Sequence, residues 1–126
     1  MRIVSYQDVE ANEAVPGVVQ RVVIGPEHGA PHFAMRVFEL QPGKSTPYHT
    51  HEWEHEVFVL SGLGVVRREN GETPISAGTA VFVEPNEIHC FTNSSNEVFR
   101  FICVIPTTTD GPSQPACEIP PSQPQS

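Results

Sequence analysis

This chain contains few cysteines, few basic residues and no long hydrophobic run. Its three cysteines, Cys90, Cys103 and Cys117, form an odd set without close spacing, so the sequence does not predict a disulfide framework. Seven Lys and Arg residues stand against fifteen Asp and Glu residues, and the net charge of -8 argues against binding to nucleic acid or anionic membranes. No segment approaches the roughly 18 apolar residues of a transmembrane helix, and the amino-terminal residues lack a signal-peptide core. We therefore expect a cytoplasmic protein, and 126 residues predict one domain.

Sustained helical periodicity is also missing, although residues 6–14 could form one or two helical turns. Short segments rich in β-branched or aromatic residues, bounded by Gly, Pro, Asn or Ser, predict strands instead. Asn70-Gly71 predicts a two-residue hairpin. Because open sheets with exposed edges invite aggregation, this pattern favours an all-β barrel or double sheet. The predicted strands cover residues 18–24, 33–40, 56–60, 64–68, 80–83, 89–91 and 99–105.

The composition changes near the carboxyl end, where Pro, Ser and Gln dominate. Such a segment lacks ladder donors and buries little apolar area. We therefore predict a domain over residues 1–106 and a flexible tail over residues 107–126. A tail that packs over the domain or a partner through Ile119 is the alternative.

Four of the six histidines, His49, His51, His55 and His89, have a spacing that suits one metal ion inside a barrel. Residues i and i+2 of an extended strand face the same way, so His49 and His51 would present their imidazoles side by side. His55 keeps this parity and would begin the next strand, whereas the fold must bring in His89. The other two histidines, within residues 25–32, are expected to be exposed. Because imidazole is a common ligand of divalent transition metals, the sequence predicts a metal site.

The spacing around these histidines resembles the first motif of the cupin superfamily. That motif has Gly, five residues, His-x-His, three or four residues, Glu, six residues and Gly, and residues 43–51 match its beginning. Counting forward permits either His55 or Glu56 in the carboxylate position. Counting six residues back from Gly62 selects His55. We therefore expect His55 to be a metal ligand and Glu56 to point to the opposite face.

A second segment resembles the other cupin motif, which has Gly, five residues, Pro-x-Gly, two residues, His, three residues and Asn. Residues 78–93 keep every spacing, with Glu84 and Asn86 in place of Pro and Gly. Asn tolerates the left-handed backbone that a tight turn needs. The resemblance to small cupins with a four-histidine site covers about residues 18–106. It implies a double-stranded β-helix (jelly-roll) barrel and a manganese or iron ion.

Five further residues are candidates for the wall of a substrate cavity: Arg36, Val57, Phe91, Phe101 and Cys103. Val57 and Phe91 share strand parity with the predicted ligands and suit a dry wall. Arg36 could reach inward to steer an anionic ligand, although a surface arginine is an equally good interpretation. Cys103 could line the cavity with a thiol, although packing as a small core residue is favoured.

Four neutral imidazoles would leave the charge of a divalent ion uncancelled and two positions of an octahedral ion open. The ligands alone also suit Zn, Ni or Cu. We predict a metal-dependent oxygenase (dioxygenase-like) or related oxidoreductase that acts on a small organic substrate. A non-redox isomerase or lyase is an alternative, but it needs a base that the sequence does not identify. A cupin that binds a small ligand without catalysis is another.

The expected oligomer is a homodimer. Phe58 and Leu60 lie on the predicted strand at 56–60, on the face opposite the ligands, and need cover from solvent. Small cupins usually pair through sheet edges, so a second copy of the chain would supply that cover.

Overall fold

The computed structural model describes residues 1–107, which form two antiparallel β-sheets. The strands of the larger sheet run in the order β1-β2-β3-β9-β4-β7, and those of the smaller sheet in the order β6-β5-β8. The two sheets form a jelly-roll-like sandwich, which confirms the predicted all-β fold class. The strands are β1 Asn12–Val15, β2 Val18–Ile24, β3 Phe33–Leu40, β4 His55–Ser61, β5 Leu63–Arg68, β6 Gly71–Ser76, β7 Ala80–Val83, β8 His89–Asn93 and β9 Phe99–Pro106.

The amino-terminal segment forms one short helical turn of the one or two considered for residues 6–14, and a strand follows it. A short 3-10 helix covers Tyr6–Asp8, and a second one covers Pro26–His28. After the first of these helices the chain continues as β1, which pairs with β2 through a turn at Gly17. Gly17 has a φ of 84°, and its N–H donates to the Glu13 carboxylate at 2.7 Å. The open edge of β2 offers backbone partners to this segment, and local periodicity could not indicate that edge.

The predicted hairpin at Asn70-Gly71 is present between β5 and β6, shifted by one residue. Arg68 pairs with Gly71, so Glu69 and Asn70 form the two-residue loop. Gly71 begins β6 with a φ of 139°, in the region that favours glycine.

The hydrophobic core lies between the two sheets. Strand β9 alternates buried and half-buried residues along its whole length, as expected for a strand with one face turned inward. The Phe101 ring stacks on Phe38 with ring centroids 5.2 Å apart and meets Phe91 of the smaller sheet at 5.0 Å. A side chain at Gly64 would lie within about 2.5 Å of the Phe99 ring, so glycine is required for this close approach.

Asn93 at the end of β8 fixes one corner of the sandwich. Its buried amide donates to the Leu40 carbonyl at 2.8 Å and the Glu97 carbonyl at 2.6 Å, while its oxygen accepts from the Ser95 N–H. These bonds hold the turn after β8 against the end of β3. The Asn of the second motif is thus a structural residue.

Residues 108–126 lie outside the described residues, and so does the prediction of a flexible tail after residue 106. Within residues 1–107, neither helix has the length or the apolar character needed to cross a membrane.

Candidate metal centre

The four histidines come from three places in the chain: the segment between β3 and β4, the start of β4 and the start of β8. His55 begins β4 of the larger sheet, and His89 begins β8 of the smaller one. His49 and His89 form a reciprocal backbone bridge, with each N–H 3.2 Å from the carbonyl oxygen of the other. The carbonyl of His51 accepts the Asn86 N–H at 2.7 Å. Asn86 has a φ of 66°, so the left-handed turn expected at this position is confirmed.

The imidazole rings of these residues converge. A nitrogen of His49, one of His51 and one of His89 all lie within 4.8 Å of one another, so this group of three could hold a metal ion. His49 and His51 have ring centroids 5.0 Å apart, as their spacing predicts. The ring centroid of His55 is 4.9 Å from that of His51 and 4.8 Å from that of His89. His55 is not a member of the group of three, so the four-histidine set stays a prediction.

Backbone carbonyls determine the tautomer of two of the imidazoles, that is, which ring nitrogen carries the proton. His51 Nδ1 lies 3.2 Å from the Trp53 carbonyl oxygen, and His89 Nδ1 lies 2.7 Å from the Glu87 carbonyl oxygen. A carbonyl oxygen only accepts, so each Nδ1 carries the proton and each Nε2 keeps its lone pair. His51 Nε2 is buried and has no hydrogen-bond partner. A buried acceptor without a partner is costly, and a cation would satisfy it.

The contact between His55 and His89 also fits a cation. Their Nε2 atoms are 3.0 Å apart. Two donor atoms at that separation can occupy neighbouring positions around an ion with metal–nitrogen bonds of about 2.1 Å at a right angle. The donor set and this spacing both fit a divalent transition ion.

The electrostatic environment keeps these rings neutral. Burial and, after it, the positive charges that His89, His51, His49 and Arg36 would carry together lower the pKa of His55 to about 2. Burial also lowers the pKa of His51 and of His89, although their backbone carbonyl partners oppose the shift. Neutral imidazole is the form that binds a metal, so the rings are ready ligands at neutral pH.

The side chains near the motif separate as strand parity predicts. His55 is buried, while Glu56 is exposed on the opposite face of β4. This places the Glu56 carboxylate away from the histidines. His28 and His32 are exposed, as expected for the loop before β3.

The cavity beside the histidines is small, about 10 Å³, which is close to the space of one water molecule. Phe91 and Phe101, two of the predicted wall residues, line it together with His49, His55 and His89. Thr46 also lines it, and sequence reasoning missed this residue. The Thr46 N–H donates to the Phe91 carbonyl, and the Phe91 N–H donates to the Thr46 hydroxyl oxygen, each at 2.9 Å. This contact joins distant segments and has no local sequence signal.

The other predicted wall residues are buried but do not line this cavity. Val57 and Arg36 are each 2% exposed, which corrects the alternative of a surface arginine at position 36. Cys103 is fully buried, and its Sγ lies 3.2 Å from His55 Nδ1. Cys103 packs in the hydrophobic core, as favoured from the sequence, but it is disulfide-bonded, which the sequence did not predict; Cys90 is the free cysteine of the described residues.

One side chain with a formal charge is buried in the part of the chain that the structure describes. Among residues 1–107, Arg36 is the buried residue with a formal charge, and no carboxylate is buried. A divalent ion held by neutral imidazoles would keep its charge and would favour ligands that carry negative charge or develop it.

Comparison with known proteins identifies the family. A model of the cupin domain matches residues 36–105, more than half of the chain. The chain is 36% identical over 80 residues to the oxalate-binding protein of Thermotoga maritima, covering 60% of this chain and 66% of that protein, slightly less than two thirds of its length. The solved polyketide cyclase RemF of Streptomyces resistomycificus is 32% identical with a TM-score of 0.79, covering 84% of this chain and 79% of the other.

A sugar phosphate isomerase of Silicibacter pomeroyi has the same fold, with a TM-score of 0.76 at 21% identity; the match covers 85% of this chain and 76% of that one. The family match spans both histidine motifs and all the predicted cavity residues. The chain belongs to the cupin family.

Proposed function

We propose that this chain is a metal-dependent cupin enzyme that binds a small, oxygen-rich organic substrate at a divalent ion held by His49, His51, His55 and His89. One observation carries the proposal. The Nδ1 atoms of His51 and His89 are tied to backbone carbonyls, which turns lone-pair Nε2 atoms toward a common point. Hydrogen bonds of this kind orient the imidazoles of metal sites.

A bound ion would supply Lewis acidity for polarising a carbonyl, enol or carboxylate oxygen. The residues of the chain orient the substrate and shape its surroundings. The guanidinium of Arg36, buried near His55, attracts an anionic group. The Thr46 hydroxyl oxygen accepts the Phe91 N–H, and its own proton can be donated to a substrate oxygen. Phe91 and Phe101 exclude water from the reacting centre.

The substrate class follows from this charge and from the relatives. A divalent ion held by neutral imidazoles favours a carboxylate or an enolisable carbonyl compound that forms an enolate. One relative is an oxalate-binding protein, and a similar solved protein is a polyketide cyclase. Both names refer to compounds rich in carbonyl or carboxylate oxygen. We therefore propose an enolisable carbonyl compound or a small organic acid as substrate.

Two reaction classes fit such a centre. Lewis-acid ring closure or isomerisation without a redox step is our first candidate, because the chain is similar to a polyketide cyclase at 32% identity. A metal-dependent oxidoreductase with manganese or iron, as predicted from the sequence, is the second. The aromatic cavity wall of Phe91 and Phe101 favours it, since a dry apolar wall limits side reactions of activated oxygen.

The deciding experiment compares metals. Metal-free protein is loaded in parallel with Zn, Mn and Fe, and a panel of diketones, enols and organic acids is followed for product formation and for oxygen consumption. Turnover that is similar with zinc and manganese, without oxygen consumption, supports Lewis-acid chemistry, because zinc does not change its oxidation state. Turnover restricted to Mn or Fe with oxygen consumption supports the oxidoreductase. Tight metal binding without turnover of any compound would indicate a cupin that binds a ligand and does not catalyse a reaction.

We also propose that the chain works as a homodimer in the cytoplasm. Phe58 and Leu60 on β4 are 47% and 39% exposed, and Phe82 on the neighbouring edge strand β7 is 58% exposed, all on the outer face of the larger sheet. Apolar residues clustered in this way mark an interface. Sedimentation of the wild type and of a Phe58→Ser, Phe82→Ser double variant tests this, and a monomeric wild type would contradict it.

A further inference from the structure

Trp53 contacts His51 in two independent ways. Its backbone carbonyl oxygen lies 3.2 Å from His51 Nδ1. Its indole ring stacks on the His51 imidazole, with ring centroids 5.7 Å apart and an angle of 13° between the planes. The hydrogen bond fixes which nitrogen carries the proton, and the stacking restricts rotation of the ring.

The indole itself is held in place by the rest of the fold. Trp53 packs against the hydrophobic core, whereas its neighbours Glu52 and Glu54 are exposed. On the other side of His51, the Asn86 N–H donates to the His51 carbonyl. The His51 backbone is therefore fixed from the turn before β8, and its side chain is fixed from the Trp53 ring.

His51 needs such support more than the other members of the group. It lies in the irregular segment between β3 and β4, where its backbone is not hydrogen-bonded to a neighbouring strand on each side. His89 belongs to strand β8, and His49 forms the backbone bridge with His89. An imidazole that rotates freely spends less time with Nε2 directed at the ion, so affinity falls.

We propose that Trp53 is a positioning residue whose indole face holds the His51 imidazole in the orientation and tautomer that bind the metal. This inference rests on the proposed metal centre and adds a residue that donates no ligand atom to it. The aromatic face is the feature required, because the carbonyl remains in every side-chain variant of this position. A flat phenyl ring should therefore replace the indole, and a branched aliphatic side chain of similar apolar character should not.

Trp53→Phe and Trp53→Leu test this requirement, with Phe33→Leu as the control. Phe33 is an exposed aromatic residue on β3, so the control makes an aromatic-to-leucine change outside the group of metal-site histidines. Zinc affinity is measured by competition with a chromophoric chelator. We expect Trp53→Leu to lose about 10-fold or more in zinc affinity, the effect typical of residues that orient metal ligands. Trp53→Phe and Phe33→Leu should stay within about 3-fold of the wild type.

A second measurement does not depend on metal. Nitrogen-15 spectra of the histidine rings in the metal-free protein report the tautomer of His51. The wild type and Trp53→Phe should show His51 protonated at Nδ1. Trp53→Leu should show a mixture of tautomers, because an imidazole that is no longer stacked rotates away from the Trp53 carbonyl for part of the time. Since Trp53 is the single tryptophan of the chain, its fluorescence should also change when zinc is added to the wild type.

These readouts separate the two proposals. Wild-type protein that binds neither zinc, manganese nor iron would refute the metal centre, whatever the tautomer of His51. Intact metal binding in Trp53→Leu would refute the positioning role and leave the metal centre standing. Equal losses in Trp53→Phe and Trp53→Leu would also refute it, because the aromatic face would then not be the feature that matters. Melting temperatures of the metal-free variants identify any loss that comes from unfolding.

Discussion

The buried histidines should make the metal-free protein sensitive to acid in a range where most proteins are stable. Burial and neighbouring positive charge together lower the pKa of His55 from 6.5 to about 2 in the folded state. An unfolded chain restores the ordinary pKa of about 6.5. Below about pH 6.5 the unfolded state therefore binds a proton at this histidine and the folded state does not. The free energy of unfolding decreases as the pH falls. The stabilising contribution is complete above that pH.

The size of the effect follows from linkage. For one group with these two pKa values, the free energy of unfolding decreases by about 1.4 kcal/mol between pH 7.5 and pH 5.5. This result depends little on the folded-state pKa, since about 2 lies far below the range measured. The pKa values of His51 and His89 are lowered as well, so both add to the loss in the same direction.

The assay is urea unfolding of chelator-treated protein at several pH values between about 7.5 and 5.5. His55→Gln should lose about 1.4 kcal/mol less than the wild type over this range, since it lacks one titrating group. The exposed His32 provides a matched control, and His32→Gln should behave like the wild type. The slope with pH is compared, so a lower overall stability of His55→Gln does not affect the test. An unchanged slope in His55→Gln would refute the buried, neutral state of His55.

Three further predictions concern the site and the fold. His89→Ala should reduce zinc affinity at least about 10-fold while circular dichroism shows an intact sheet, because the core depends on apolar strands rather than on the ion; loss of the sheet in metal-free protein would show a structural metal instead. Gly64→Ala should lower the free energy of unfolding by about 1–3 kcal/mol in urea, because its Cβ would collide with the buried Phe99 ring; wild-type stability would contradict the packing described. Burial tends to raise the pKa of Glu39, but hydrogen bonds from Arg100, Arg21 and Tyr6 outweigh it and lower the pKa below 4.5. Stability from Glu39 is thus present above about pH 4.5 and lost in more acidic solution, so Glu39→Gln should be less stable at neutral pH and approach the wild type in acid; a difference that is constant with pH would be inconsistent with this.

Local patterns in the sequence were sufficient for most strands. Strands β2, β3 and β7 have the predicted bounds, because β-branched and aromatic runs between turn residues report the two-residue period of a strand. The same period placed His55 inside and Glu56 outside. Spacing alone also indicated that His49 and His51 would lie side by side.

Other features depend on contacts between distant segments. The two-residue period within one strand carries no information about such contacts. Strand β1 exists because β2 offers an open edge, and Thr46 reaches the cavity through its pairing with Phe91. The backbone bridge between His49 and His89 joins residues forty positions apart, and it brings the two motifs to one point. The sequence by itself determined which residue types face inward along each strand. The tertiary structure decided which inward residues meet, and through the Trp53 and Glu87 carbonyls it decided which imidazole nitrogen His51 and His89 offer.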